Sequence, residues 1–184
     1  MTTSTAGASA ELVTVLDDEG RPCGVATRAR VRTENLLHGA TAILVRDSIG
    51  RIYVHRRTDT KDIYPGAFDC WAGGVLAAGE EPLAGALREL DEELGIRGVP
   101  LRPLFSTRWR DATVQAIYHA FEVTWDGPVI HQIDEVAWGD WWTVGELTEH
   151  LLSEDLPFVP DGRHLLAVAG IFRGGPLPNA PAVH

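Results

Sequence analysis

Cysteine is scarce in this chain. There are two, Cys23 and Cys70, among 184 residues, and no metal-ligand spacing relates them. That argues against a disulfide framework and makes the reduced cytoplasm the simplest home. Long apolar runs are also missing, and none approaches the roughly 18 residues that a membrane span needs. The opening MTTSTAGASA has neither a basic n-region nor an apolar h-region, so no signal peptide is expected. Positive charge is in deficit, with 16 Lys and Arg against 26 Asp and Glu and a formal net charge of -10. A nucleic-acid backbone or an anionic membrane is therefore not the expected partner. An anionic small molecule can still bind such a chain if a cation mediates.

What is present suits one globular domain. Apolar residues make up 45% and charged residues 23%, close to soluble averages, and two domains would leave each a small core. Residues 1–10 are small and polar and are expected to be disordered, and residues 175–184 form a loose tail. A single domain is expected over residues 11–174. It opens with a β-hairpin over 11–34, turning at Asp17-Asp18-Glu19-Gly20. A second hairpin turns at Asp47-Ser48-Ile49-Gly50. The stretch KDIYPGAFDCWAGG reads as loop or short strands. A helix is expected from Pro82 to Leu94, with Pro82 in its first turn and Gly95 at its C-cap. TVQAIYHAFEVTW alternates as a strand. DEVAWGDWW leads into a helix near Thr143, where Thr143 and Glu146 match a capping box, and a last helix is expected over Arg163 to Phe172. Strands and helices alternate without regular βαβ spacing, so the fold class is α/β with a mixed sheet flanked by helices.

The helix after Pro82 is unusual. Six acids fall between Glu80 and Ile96. At helical spacing Leu83, Leu87, Leu90 and Leu94 form one stripe, expected to face the core. Glu89, Glu92 and Glu93 share another face, and like charges at that spacing cost about 0.2–0.5 kcal/mol per pair. Glu92 and Glu93 also sit where the helix dipole disfavours anions. Local physics opposes this arrangement. A solvated acidic face is the plain explanation; a site for a hard cation such as Mg²⁺, which takes oxygen ligands, is the other.

Gly73-Gly74, just upstream, allows close backbone approach to a ligand. Gly74, Glu80, Arg88-Glu89-Leu90, Glu92-Glu93 and Gly95-Ile96 then recur at fixed spacing. Seven identities and two apolar positions coincide by chance on the order of once in 10⁹ at a given site. This pattern, residues 74–96, resembles the signature of the Nudix hydrolases. The resemblance implies the Nudix fold, an α/β/α sandwich, and hydrolysis of a nucleoside diphosphate linked to another group, using Mg²⁺ or alternatively Mn²⁺. It implies that Glu89, Glu92 and Glu93 are metal ligands, that Arg88 orients the carboxylates, and that Glu80 pairs with Arg88. It leaves the general base between Glu89 and a later-loop carboxylate, here Glu135. A small diphosphate, in the first place a nucleotide, is the implied partner, with no nucleic acid or membrane, and many relatives form homodimers.

Other residues bear on the substrate. Arg56 and Arg57, close to Lys61, are candidates for phosphate contacts. Trp71 is a candidate for stacking on a base, although packing is the commoner use of such a residue. The stretch from Leu37 to Gly74 is also similar to isopentenyl diphosphate isomerase, a Nudix-fold enzyme. Its catalytic cysteine and the histidine that follows fall at Gly73 and Val75, and its later glutamate falls near Thr113. Cys70 is three residues too early to substitute. The acidic box is intact, so hydrolysis is the expected chemistry, with isomerisation and non-catalytic nucleotide sensing as the alternatives.

Overall fold

β3 (His38–Arg46) sets the architecture, since from Ala40 to Val45 it is buried without interruption. A strand apolar on both faces needs cover on both faces. The computed structural model describes residues 10–172; the tail expected over 175–184 and nearly all of the N-terminal stretch expected over 1–10 lie outside those residues. β3 pairs in parallel with β8 (Gln115–Thr124) along its whole length, His38 opposite Ala116 through Arg46 opposite Thr124. Every other named strand pairing is antiparallel. β7 (Arg102–Arg110) flanks β8 on the far side. β1 (Leu12–Leu16) and β2 (Pro22–Thr27) continue the sheet beyond β3. β4 (Ile52–Arg57) carries β9 (Val136–Trp142) and the two-residue β5 (Phe68–Asp69), while β6 (Trp71–Ala72) returns to β3. The sheet is mixed, as its irregular element spacing implied.

Alternation along β3 and β4 divides the core. Ala42, Leu44, Ile52 and Val54 meet Leu147 and Leu151 of α3 (Val144–Ser153) and Leu165 and Leu166 of α4 (Pro160–Val168). Ile43, Val45 and Tyr53 face the other way and meet Ala86, Leu90 and Leu94 of α2 (Pro82–Leu94). Helices thus cover both faces, giving an α/β/α sandwich, as the resemblance implied.

Several boundaries follow the sequence closely. α2 has Pro82 in its first turn and ends at Gly95, which takes the left-handed conformation (φ 66°) that glycine adopts cheaply. Thr143 and Glu146 form the expected capping box at α3. Other expectations need correction. The first hairpin stops at Thr27, and α1 (Arg28–Thr33) follows, its start capped by the Thr27 hydroxyl. Alternating Arg-Ala-Arg-Val-Arg imitates a strand, and the cap outweighs that pattern. The last helix begins at Pro160, three residues earlier than expected, because proline suits a first turn. β7 is an element the sequence pattern did not announce.

The leucine stripe of α2 is also corrected. Leu90 and Leu94 are buried, but Leu83 is 49% and Leu87 40% exposed. The helix is rotated so that Glu89 and Glu93 go inward with Ala86 and Leu90. Apolar periodicity cannot locate a buried face that is partly made of carboxylates.

Candidate active site

The turn after β6 and the inner face of α2 form one unit. The Gly73 N–H donates to Glu93 Oε2 (3.0 Å), and Thr41 N–H of β3 donates to the Gly74 carbonyl (2.9 Å). A side chain at Gly74 would overlap the Glu89 carboxylate, and one at Gly73 would overlap the Thr41 carbonyl oxygen. Gly73 is therefore required by close approach to the β3 backbone, and a side chain at Gly74 would displace the Glu89 carboxylate. Arg88 knits the acids together. It donates to both oxygens of Glu80 (2.9 Å each), to Glu89 Oε1 (2.7 Å) and to Glu92 Oε2 (3.2 Å). Glu80 also accepts from the Ala77 N–H (2.9 Å), which fixes the turn ahead of the helix. A bidentate arginine of this kind sets geometry as well as charge. The expected Glu80–Arg88 pair and the orienting position of Arg88 are thus present.

The three box glutamates differ. Glu92 is exposed. Glu89 and Glu93 are buried. Burial raises the proton affinity of Glu89, with the Arg88 charge opposing it. Burial, then the charge of Glu89, pushes Glu93 up to about 7, against the pull of Lys61. Two buried carboxylates facing one glycine turn destabilise each other's ionised forms. Divalent metal would relieve that, and an all-oxygen donor set suits Mg²⁺ or Mn²⁺. As they stand, no group of three His, Cys, Asp or Glu among the described residues converges closely enough to hold an ion. Arg88 and the Gly73 N–H occupy oxygens that a cation would use, so ligation requires Glu92 and its neighbours to turn from Arg88. The donor chemistry fits; the present rotamers are those of hydrogen bonding within the protein.

Lys61 extends the site. It is the only lysine of the chain. Burial, then the neighbouring Arg57 charge, lowers it to about 8. It pairs with Glu135, in the loop before β9. The Thr58 N–H donates to the Glu135 carbonyl (3.1 Å), so that loop is tied to the end of β4. Glu135 therefore comes near the box through Lys61, as a later-loop carboxylate. The two arginines part company. Arg57 lines the cavity beside the glycine turn and donates from Nε to the Ile63 carbonyl (3.1 Å). Arg56 does not line it and pairs with Asp59 (2.6 Å). Adjacent strand residues point to opposite faces, and only one of the two could serve. Trp71 is also corrected. It lines the cavity wall, but it is 4% exposed, packs edge-on against Phe105, and its indole N–H donates to the Gly162 carbonyl (3.2 Å). It shapes the wall and has no free face for a base.

The cavity itself brings in residues that the sequence did not point to. It is lined by Gly73-Gly74, Arg32 and His38 and by Asp69, Tyr118 and Asp161. Asp69 and Asp161 are far apart in the chain and read separately as a loop acid and a first-turn helix acid. No local pattern joins them. Thr113 also lines the cavity, and Val75 is buried in a bridge to Ala40. At Gly73 the backbone has φ 151°, and the Thr41 carbonyl fills the place of a side chain. A cysteine cannot be accommodated there without moving β3.

A protein-family model for the NUDIX domain matches residues 36–166. The chain belongs to the Nudix hydrolase family. It is 46% identical over 167 residues to the uncharacterized Nudix hydrolase orf19 of Rhodococcus erythropolis, covering 85% of this chain and 90% of that one. It is 38% identical over 161 residues to the uncharacterized Nudix hydrolase YfcD of Escherichia coli K12, with 88% and 87% covered. Among solved structures, DR0079 from Deinococcus radiodurans shares the fold with a TM-score of 0.75 and 23% identity, covering 86% of this chain and 99% of that one. No helix among the described residues is long and apolar enough to cross a membrane.

Proposed function

We propose that this Nudix hydrolase cleaves a diphosphate bond in a nucleoside diphosphate linked to another group, with Mg²⁺, or Mn²⁺ in its place, held by Glu89, Glu92 and Glu93. The observation that carries the reading is the inward turn of Glu89 and Glu93 against Gly73-Gly74. Folding puts two carboxylates where water is scarce, and a cation brought by the substrate complex would favour their ionised forms beyond what Arg88 and Lys61 supply. When bound, the metal supplies positive charge to the diphosphate oxygens and acidifies nearby water.

The chain's own residues then divide the work. Arg88 fixes the carboxylates and keeps Glu89 oriented. Glu89 takes a proton from the attacking water as the new phosphorus–oxygen bond forms and the bridging oxygen leaves with the other phosphate. Burial gives Glu89 the raised proton affinity that a general base needs. Glu135 is the rival base, but its pairing with Lys61 occupies one of its oxygens. Arg57 stands beside the turn as the phosphate-facing cation. Nothing in the site favours isomerisation, since the acid position is closed at Gly73.

The test is a panel of diphosphates with and without Mg²⁺, with phosphate products measured. Mg²⁺-dependent release that disappears in Glu93→Gln is expected. Nucleotide binding without any product across the panel would replace the hydrolase with a sensor.

A further inference from the structure

The loop between β4 and β5, residues 58–66, forms part of the cavity wall. Its neck is narrow. The Gly66 N–H donates to the Thr58 carbonyl (3.2 Å), and just outside it the Arg57 N–H donates to the Ala67 carbonyl (2.9 Å). Ile63 and Tyr64 make its inner face: both line the cavity and pack against Ala40, Trp109 and Val114. Asp59, Thr60, Asp62 and Pro65 are exposed on its outer side. A compact loop with joined ends is a unit that often carries function.

Side chains fasten this loop to three other elements. The Tyr64 hydroxyl donates to Asp111 Oδ2 (2.6 Å), in the turn between β7 and β8. Asp62 pairs loosely with Arg32 of α1 (3.7 Å), and Lys61 pairs with Glu135. The tyrosine bond is charge-assisted. Burial works against ionisation of Asp111, yet the Tyr64 hydroxyl and the N–H groups of Val114 and Thr113 hold it below the ordinary carboxylate value.

That bond restrains a backbone that local preference would move. Tyr64 has φ 48°, in the left-handed region that a bulky side chain rarely adopts. It also precedes Pro65, and a residue before proline is pushed toward extended conformations. Asn35, at φ 48° on the same cavity, donates from Nδ2 to the Asp111 carbonyl (2.9 Å), but asparagine tolerates that conformation. Asp111 thus gathers two left-handed residues, and only the tyrosine is strained. Such strain persists where surrounding contacts enforce it, and it clusters at ligand clamps and switches. Here strain favours an open loop and the Asp111 bond a closed one, and the two effects are of comparable size.

We propose that residues 58–66 form a lid on the cavity, latched by Tyr64 on Asp111, which swings out to let a ligand pass and swings back to return Lys61 to Glu135.

Two reagents test this on the full chain without any substrate. The single lysine lies in the lid, so a lysine-specific endoprotease has one cleavage site, and its native-state rate reports opening. His38 lines the same cavity and is 6% exposed, so its modification by diethyl pyrocarbonate reports access. Tyr64→Phe keeps the ring and removes the latch, and both rates should rise about tenfold in it. Opening of a lid exposes little surface, so cleavage of wild type should depend only weakly on urea below the unfolding transition. Cleavage that follows urea as steeply as global unfolding does would mean that the loop lets go only with the whole fold, and overturns the lid without any variant. Unchanged rates in Tyr64→Phe overturn the latch. Faster cleavage with unchanged His38 modification shows a loose loop that does not cover the cavity, and overturns the lid as well. None of these outcomes depends on turnover, so the lid and the hydrolase reading stand or fall separately.

Discussion

Two acidic clusters, the box glutamates behind the glycine turn and the aspartate pair on the cavity beside it, are built differently. The box glutamates come from a single helix and bring counter-charges with them, Arg88 in contact and Lys61 close by. Asp69 and Asp161 come from a two-residue strand and the first turn of a later helix; their hydrogen bonds come from neutral groups, backbone N–H donors and the Tyr118 hydroxyl, and the Arg57 charge acts on both without contact. Burial raises the proton affinity of the first cluster too, but there positive charges oppose it. The second is held partly protonated by its surroundings. Acidic residues in a cavity thus do not share one chemistry; their partners decide it.

The contrast is most exposed to Glu93→Gln. Turnover should fall by more than about 100-fold, beyond the 10–100-fold typical of residues that only support metal ligands, measured as product release at saturating Mg²⁺. Near-wild-type turnover would make the box no different from the aspartate pair. Next in size is packing under the box. Leu90→Ala should cost about 2–5 kcal/mol in chemical denaturation, whereas Leu87→Ala, on the exposed flank, should stay within about 0.5 kcal/mol. Equal costs would restore the leucine stripe and undo the rotation that turns Glu89 and Glu93 inward.

Arg88→Ala probes the counter-charge. Removing one partner of a buried pair costs about 3–5 kcal/mol. Arg88 is 31% exposed, so roughly 2–3 kcal/mol is expected, with the larger share recovered when Mg²⁺ is added. A cost that Mg²⁺ leaves untouched would show that the box does not rely on cations.

The last effect concerns Asp69 and appears only as a slope against pH. Its folded pKa, about 8, lies above its usual 3.8. The folded state therefore holds a proton that the unfolded chain releases, and wild-type stability falls as pH rises from about 4 to about 8. Asparagine has no such proton. Asp69→Asn should gain on wild type across that window by up to about 1.4 kcal/mol per pH unit, levelling off above about 8 in melting curves. A variant that instead loses ground as pH rises would place a carboxylate, not an acid, at this position.

How much of this could be read beforehand follows from the same contrast. α2 was legible to the residue, because Pro82 and Gly95 are local signals and the box spacing is a helical one. So was the capping box at Thr143. The side that α2 buries was not, since burying Glu89 and Glu93 runs against hydropathy. α1 was hidden by an alternating sequence whose only helical cue is the Thr27 cap. Arg56 and Arg57 were indistinguishable until strand parity separated them. The aspartate pair, with Thr41 and Arg32, is a product of topology alone: α1, β3, β5 and α4 meet there, and nothing in any one of their sequences says so.

The solitary lysine has a practical side. Lys61 is the chain's sole side-chain amine, it lies close enough to the box for its charge to act on Glu93, and burial lowers its pKa to about 8. An amine-directed acylating label thus has one internal target, distinguishable by peptide mass from the amino terminus. Its rate of incorporation doubles as an occupancy gauge: a ligand seated against the box should shield that amine, and the protection can be titrated without any turnover at all.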